Sequence, residues 1–392
     1  MVNGIEAGVD SCFDHHSFTL FGHRRAYGGL RGARAGVLAQ ARGERDEPLA
    51  DAEAGVAAAA GLTVLGSTGA AFASRGAAGK TPPLKGKSIS LKELIAEAKK
   101  EGHLNTIALP PDWANYGEMM STFSKKYGIP IDNQNPNGSS ADENQAIRSL
   151  KGDSRAPDAV DVGVSFAVAG AAEGLYAKYF VTEFSTIPRA MKDTRGLWWG
   201  DYWGAISMGY NGNLISNPPK TWKDLLKPEY KGKDVGPGID FFAALKKSGN
   251  FIPVGTTPQT VASGQTPISI DWDYNNLAYT KEFPAAKWGV VIPSDGVYGG
   301  YYAQAVNAAA PHPWAARLWQ EFMFSDQGQV IFLKGFTHPA RFNDLAKRKK
   351  LPAALLKALP APALYAQAKF ASIPQQTAAK AKIATDWPGK VG

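Results

Sequence analysis

Asp271-Trp272-Asp273-Tyr274 sets two carboxylates and two large aromatics at the end of GQTPISIDWDYNN (Gly264 to Asn276), a run that otherwise reads as a buried β-strand. A catalytic pair, a metal site, a clamp for a small ligand, and packing with capping of the next helix all fit such a group. Strand alternation puts Ile268, Ile270, Trp272 and Tyr274 on one face and Asp271 and Asp273 on the other. Ionised carboxylates are costly inside a strand, so at least Asp273 is expected to emerge at its end, into a cleft. Carboxylates beside aromatic rings suit an amine-bearing cation, through charge-assisted hydrogen bonds and cation–π contact.

Other residues could converge on the same ligand. Trp113 and Tyr116, in PPDWANY, follow the first strand and form either an aromatic wall or an ordinary helix start. Ser165 follows strand DVGV and offers a hydroxyl, in a G-x-S-x-A context too loose for a nucleophile elbow. Asp201, Tyr202 and Trp203 stand together, with one of the two rings expected to reach the ligand and the other to pack. Tyr302 is read as a hydrogen-bonding residue on a later strand.

Composition removes several chemistries. The 392 residues are 44% apolar and 20% charged, enough for two or three globular domains with real cores. The only cysteine, Cys12, lies in the N-terminal stretch with His15, His16 and His23, while His103, His312 and His338 are far apart in sequence. Neither a metal site nor a resident cofactor is expected. With no Ser/His pair at telling spacing and no dinucleotide-binding glycine loop, no catalytic residue is assigned and an enzyme is not expected. SRGAAGKT (Ser74 to Thr81) ends like a phosphate-binding loop, but Ser74 replaces the first glycine and Pro82-Pro83 replace the helix. The formal charge is +8, with −2 over residues 1–73 and +10 over the rest. Its densest cluster, Lys347 to Lys350, lacks interleaved aromatics and reads as solvated surface, so no nucleic acid is expected.

The elements that must position these residues alternate. Ser90 to Gly102 reads as a capped helix, with Ser90 as N-cap, Glu93 three residues on and Gly102 as stop. Strand Leu104 to Leu109, a helix from Asp112 to about Tyr127, strand Ile129 to Gln134, a helix over Ala141 to Leu150 and strand Asp158 to Ser165 follow. This βαβαβ order implies a mainly parallel, doubly wound sheet. After Gly200 to Asn211 the chain enters a second unit with helices at Ile239 to Ser248 and Pro258 to Ser263. It returns through Trp288 to Gly296 and Tyr298 to Val306 into an amphipathic helix, His312 to Ser325. Two passages between units describe a hinged α/β protein.

Residues 1–73 read as a leader outside the mature fold. Gly55 to Phe72 is a small-residue apolar stretch ending in Ala71-Phe72-Ala73, the pattern signal peptidase accepts, which would leave Ser74 first in the mature chain.

TWKDLLKPEYKGK, SGQTPISIDWDY and above all HPWAARLWQEFMFSDQGQVIFLKGFTHPAR (His312 to Arg341) resemble the extracellular solute-binding proteins of ABC importers, in the branch with ferric, polyamine and phosphonate binders. The resemblance covers about Leu91 to Trp387. It implies a type II periplasmic binding fold: two doubly wound α/β lobes joined by a two-strand hinge, closing on a solute that is passed to a membrane permease. Lobe 1 is then expected over 86–207 plus 303–392 and lobe 2 over 208–302, in a periplasmic monomer. Only Asp234-Val235-Gly236 separate KGK from PGIDFFAALKK, where the family has a strand, a turn and a helix, so lobe 2 is read as shortened there. Ferric members use adjacent tyrosines in the slot filled here by Trp272 to Tyr274, whereas Tyr301-Tyr302 come later. A polyamine-like or other small organic cation is therefore favoured over ferric ion or a phosphonate.

Overall fold

The computed structural model describes residues 82–227, 229, 239–251, 254 and 256–391. The leader with its cleavage site, Cys12, the Ser74 to Thr81 loop and the shortening at Asp234 to Gly236 lie outside the described residues.

Helix α1 (Leu91–Glu101) starts where Ser90 Oγ accepts the Glu93 N–H at 3.2 Å and stops at Gly102, whose φ of 73° is left-handed. Strand β1 (Leu104–Ile107) is buried throughout. Helix α2 (Tyr116–Tyr127) buries Tyr116, Met119, Phe123 and Tyr127, one face at helical spacing. It begins four residues later than Asp112, behind Asn115 at φ 66° and without a side-chain cap, so Asp112 does not start it. Strand β2 (Ile131–Gln134) pairs in parallel with β1. Helix α3 (Ser140–Ser149) opens on a reciprocal capping box between Ser139 and Asp142. Strand β3 (Ala159–Gly163) leads directly into α4 (Val164–Ala172).

The twelve-residue β4 (Trp199–Tyr210) then runs into the second unit, with α5 (Ile239–Ser248), α6 (Pro258–Ala262), β5 (Ile268–Trp272), α7 (Asp273–Glu282) and β6 (Gly289–Val291). Strand β7 (Tyr298–Val306) returns. The amphipathic run that follows is two helices, α8 (Pro313–Met323) and α9 (Asp326–Lys334), because Ser325 Oγ accepts the Gly328 N–H and caps a new start. Short pieces β8 (His338–Pro339), α10 (Phe342–Lys347), α11 (Ala353–Leu356), α12 (Pro362–Tyr365) and β9 (Lys369–Phe370) precede the eighteen-residue α13 (Ile373–Lys390).

The large sheet corrects the expectation of mainly parallel pairing. Its path β3-β7-β4-β5 is antiparallel at every step, as are β6 and β8 on β4; β9 on β7 is parallel. The reason is that β4 and β7 are passages between units that run in opposite directions. The first half of β4 pairs with β7 and its second half with β5 and β6.

Where β4 meets the start of α7, only glycine fits. A Cβ on Gly204 would stand 2.6 Å from Asp273 Oδ1 and from the Tyr274 ring. A Cβ on Gly300, opposite Gly204 on β7, would meet the Trp272 ring at 2.4 Å. Among the described residues no helix is long and apolar enough to cross a membrane.

Candidate functional site

Strand β3 carries an aspartate, Asp161, between Val160 and Val162, all three buried. Its backbone N–H donates to Glu143 Oε2 at 2.8 Å, and the Gly163 N–H donates to Ser140 Oγ at 3.0 Å, so α3 is clamped along the end of β3. Opposite, the loop after β1 brings Trp113 and the first residue of α2, Tyr116. Trp113, Tyr116, Ser140, Glu143, Asp161 and Tyr302 line a pocket with about 310 Å³ of empty space, its open mouth included.

Behind the pocket lies a buried polar network. The Tyr116 hydroxyl stands 2.7 Å from Asp161 Oδ2 and 3.1 Å from Asp201 Oδ2. Gln304 Nε2 donates to both Tyr116 Oη and Asp201 Oδ2 at 3.0 Å. Trp113 Nε1 donates to the Tyr202 hydroxyl at 2.9 Å, which in turn lies 3.3 Å from Asp161 Oδ2. A phenol has one proton, and Tyr116 gives it to the nearer Asp161. The contact with Asp201 is then a hydrogen bond only if Asp201 carries a proton of its own. Electrostatics agree: burial, then the charge of Asp161, pushes Asp201 well above the carboxylate range, and burial raises Asp161 to about 7.

Three residues expected from the sequence, Trp113, Tyr116 and Tyr302, therefore line one pocket. Asp201 and Tyr202 sit fully buried behind it, and Tyr202 stacks on Tyr302 with ring centroids 6.0 Å apart. Trp203 turns to the other side of β4 and stacks on His338 at 4.2 Å. Ser165, in the first turn of α4, accepts a hydrogen bond from Lys380 Nζ of α13. Tyr301 also faces away from its neighbour Tyr302, with its hydroxyl donating to the Ala190 carbonyl at 2.9 Å.

The Asp271 to Tyr274 group is packed rather than presented. The strand ends at Trp272 and α7 begins at Asp273, so alternation does not continue to Tyr274. Asp273 does not emerge into a cleft. It has no exposed surface, and its carboxylate accepts the Ala205 N–H at 2.9 Å and the Tyr365 hydroxyl at 2.6 Å. Asp271 accepts the Trp272 N–H at 2.7 Å and Asn275 Nδ2 at 3.1 Å, which fits the capping role. Trp272 stacks on Tyr274, and Tyr274 fills the space between Trp113 and Tyr202, 5.6 Å from each ring.

Sequence reasoning missed Asp161, Glu143 and Ser140. A signal for the first was present: an acid inside the apolar strand AVDVG raises the same desolvation argument that was applied to Asp271. Among the described residues, no group of three or more His, Cys, Asp or Glu side chains is placed to hold a metal ion.

The model of the bacterial extracellular solute-binding protein family matches residues 160–244 and 234–361, together just over half of the chain. No curated protein matches it in sequence. Solved structures share the fold at low identity. The periplasmic binding protein P5PA superposes with a TM-score of 0.59 at 14% identity, covering 74% of this chain and 100% of that one. Iron-bound HitA from Pseudomonas aeruginosa gives 0.58 at 18%, covering 73% and 98%. AfuA from Actinobacillus pleuropneumoniae, with fructose-6-phosphate bound, gives 0.57 at 16%, covering 74% and 98%.

Proposed function

Because the chain belongs to the bacterial extracellular solute-binding protein family, we propose that it captures a small amine-bearing cation, polyamine-like in chemistry, and delivers it to the membrane permease of an ABC importer. The solute-binding role follows from the family; the cation rests on one observation. The pocket wall has two carboxylates, Glu143 and Asp161, three aromatic residues, Trp113, Tyr116 and Tyr302, and, among the described residues, no Lys, Arg or His. An ammonium in that setting gains charge-assisted hydrogen bonds and cation–π contact, whereas an anion meets two acids.

Export to the periplasm through the residue 1–73 leader, with cleavage near Ala73, and a monomeric state belong to the same reading, as do lobes at 86–207 plus 303–392 and 208–302. Helix α13 complicates the second boundary, since Trp387 packs on Phe242 of α5 at 4.6 Å. A second reading, an anionic solute such as a phosphonate, is favoured by the start of α3, where Gly138 and Ser140 also line the pocket. A ferric solute has less support, because Tyr301 and Tyr302 diverge.

Thermal shift on purified Ser74 to Gly392, with polyamines, phosphonates, ferric citrate and sugars, separates these. A solute at ~100 times its Kd adds about 2.7 kcal/mol of stability. Stabilisation by amines is expected; stabilisation by a phosphonate alone would replace the cation with the anion.

A further inference from the structure

Asp161 uses its two oxygens unequally. Oδ2 receives the Tyr116 hydroxyl and lies within reach of Tyr202, while Oδ1, also buried, has no hydrogen-bond partner among the described residues. An acceptor left that way is costly, and it sits on a residue of the pocket wall. Every element packed around Asp161 faces it with an acid, a phenol or an amide: Tyr116 from α2, Glu143 from α3, Asp201 and Tyr202 from β4, Gln304 from β7 and, at longer range, Tyr274 from α7. None of these groups supplies a positive charge.

We infer that the pocket selects an ammonium head that carries N–H donors, with Asp161 Oδ1 as the acceptor that reads them. The inference rests on the cation reading above and narrows it. A quaternary ammonium satisfies the aromatic walls equally well but offers nothing to Oδ1, so it would leave the buried acceptor as costly as before. A primary ammonium satisfies both.

A second consequence follows from the proton. Asp161 holds a proton on the acid side of about 7 because burial disfavours its charge, and an ammonium can be read only by the carboxylate. Loading therefore releases that proton to solvent. The ammonium itself titrates near 10, so over the relevant range the pH dependence belongs to the pocket. Affinity should rise roughly tenfold per pH unit up to about pH 7 and level off above it.

The test uses the whole mature chain, putrescine, and the putrescine analogue in which both nitrogens are trimethylated, titrated calorimetrically from pH 5.5 to 8.5 in buffers of different ionisation enthalpy. The expected result is putrescine binding at least tenfold tighter than its analogue, with close to one proton released below pH 6.5 and none above pH 8. Equal binding of the two, or an affinity flat with pH, overturns the inference and leaves the cation reading standing. Binding of neither overturns both. Asp161→Asn should remove the pH slope and most of the preference between the two ligands; a variant that keeps both would assign them to Glu143 instead, against the inference.

Discussion

At Asp273 the carboxylate is structural cement. It joins the Ala205 N–H of β4 to the Tyr365 hydroxyl of α12, with no exposed surface. Asp273→Ala leaves two buried donors unpaired, at about 1–3 kcal/mol each, while Asp273→Asn keeps an acceptor for Ala205 and a donor for Tyr365. The Ala variant should melt several degrees lower and the Asn variant less so, with solute affinity of the folded protein unchanged in both. Loss of affinity at an unchanged melting temperature would return Asp273 to the binding site. Its neighbour in argument, Asp161, shows the limit of desolvation reasoning at this scale. The cost of a buried acid says that a partner or a use must exist, but not which strand of the fold will supply it.

Elements were legible where one period and a cap agreed. Ser90 with Glu93 and Gly102 bracket α1 to the residue, and the helix expected over Ala141 to Leu150 runs one residue earlier, as α3. Legibility failed where the period changes without a break in composition. Between Trp272 and Asp273 the chain passes from strand to helix with no Gly or Pro, and the two-residue alternation extended past that point misassigned Tyr274 and Asp273. Pairing direction in the large sheet was also out of reach, since β4 and β7 are one continuous passage each and nothing local marks which neighbour runs against them. The contacts at Gly204 belong to this scale too. Gly204→Ala drives a methyl into Asp273 and Tyr274, neither of which has room to retreat, and should cost about 1–3 kcal/mol in denaturant unfolding. Gly389→Ala in α13, where a Cβ meets nothing within 4 Å, serves as the matched control and should be neutral or mildly stabilising. Equal effects at both positions would show that the β4–α7 crossing is looser than described.

At the scale of the whole molecule, the buried Asp161, Asp201, Asp271 and Asp273 hold their protons well above the ordinary carboxylate range, while Asp326 and Asp344, paired with Arg348 at the surface, lose theirs more readily. Burial lifts Asp161 and Asp271 to about 7 and Asp273 to about 6, against an ordinary value of 3.8. Between about pH 4 and 7 the folded chain thus binds more protons than the unfolded one, and this contribution to stability is lost as pH rises. The shift at Asp273 alone corresponds to about 3 kcal/mol. His338 works in the opposite sense: burial lowers it to about 4, so its contribution is present above 6.5 and lost on acidification. These carboxyls, with Asp201 raised as well, outweigh that imidazole, and the ligand-free protein should unfold at higher temperature at pH 5.5 than at pH 8. A melting temperature that rises over that interval would mean these carboxyls are ionised and paired in solution.

Helix α13 changes the mechanics of any opening. Its Lys380 reaches Ser165 and lies 3.5 Å over the Phe166 ring of α4, while Trp387 packs against Phe242 and Phe251 and Lys390 pairs with Asp240 on the α5 side. With a rise of ~1.5 Å per residue, those anchors are about 10–15 Å apart on one rod, with Pro388 inside its last turns. A pair of strands alone is a free hinge; the same pair with a rod fixed on both sides is a truss, and it yields only when one end lets go. On the α4 side Ile373 packs beside the Lys380 contacts, and on the α5 side the half-buried Trp387 indole packs beside the Lys390 pair. Opening therefore requires one set of these contacts to part, and the α4 set lies at Ser165, two residues beyond Gly163, the strand partner of Tyr302.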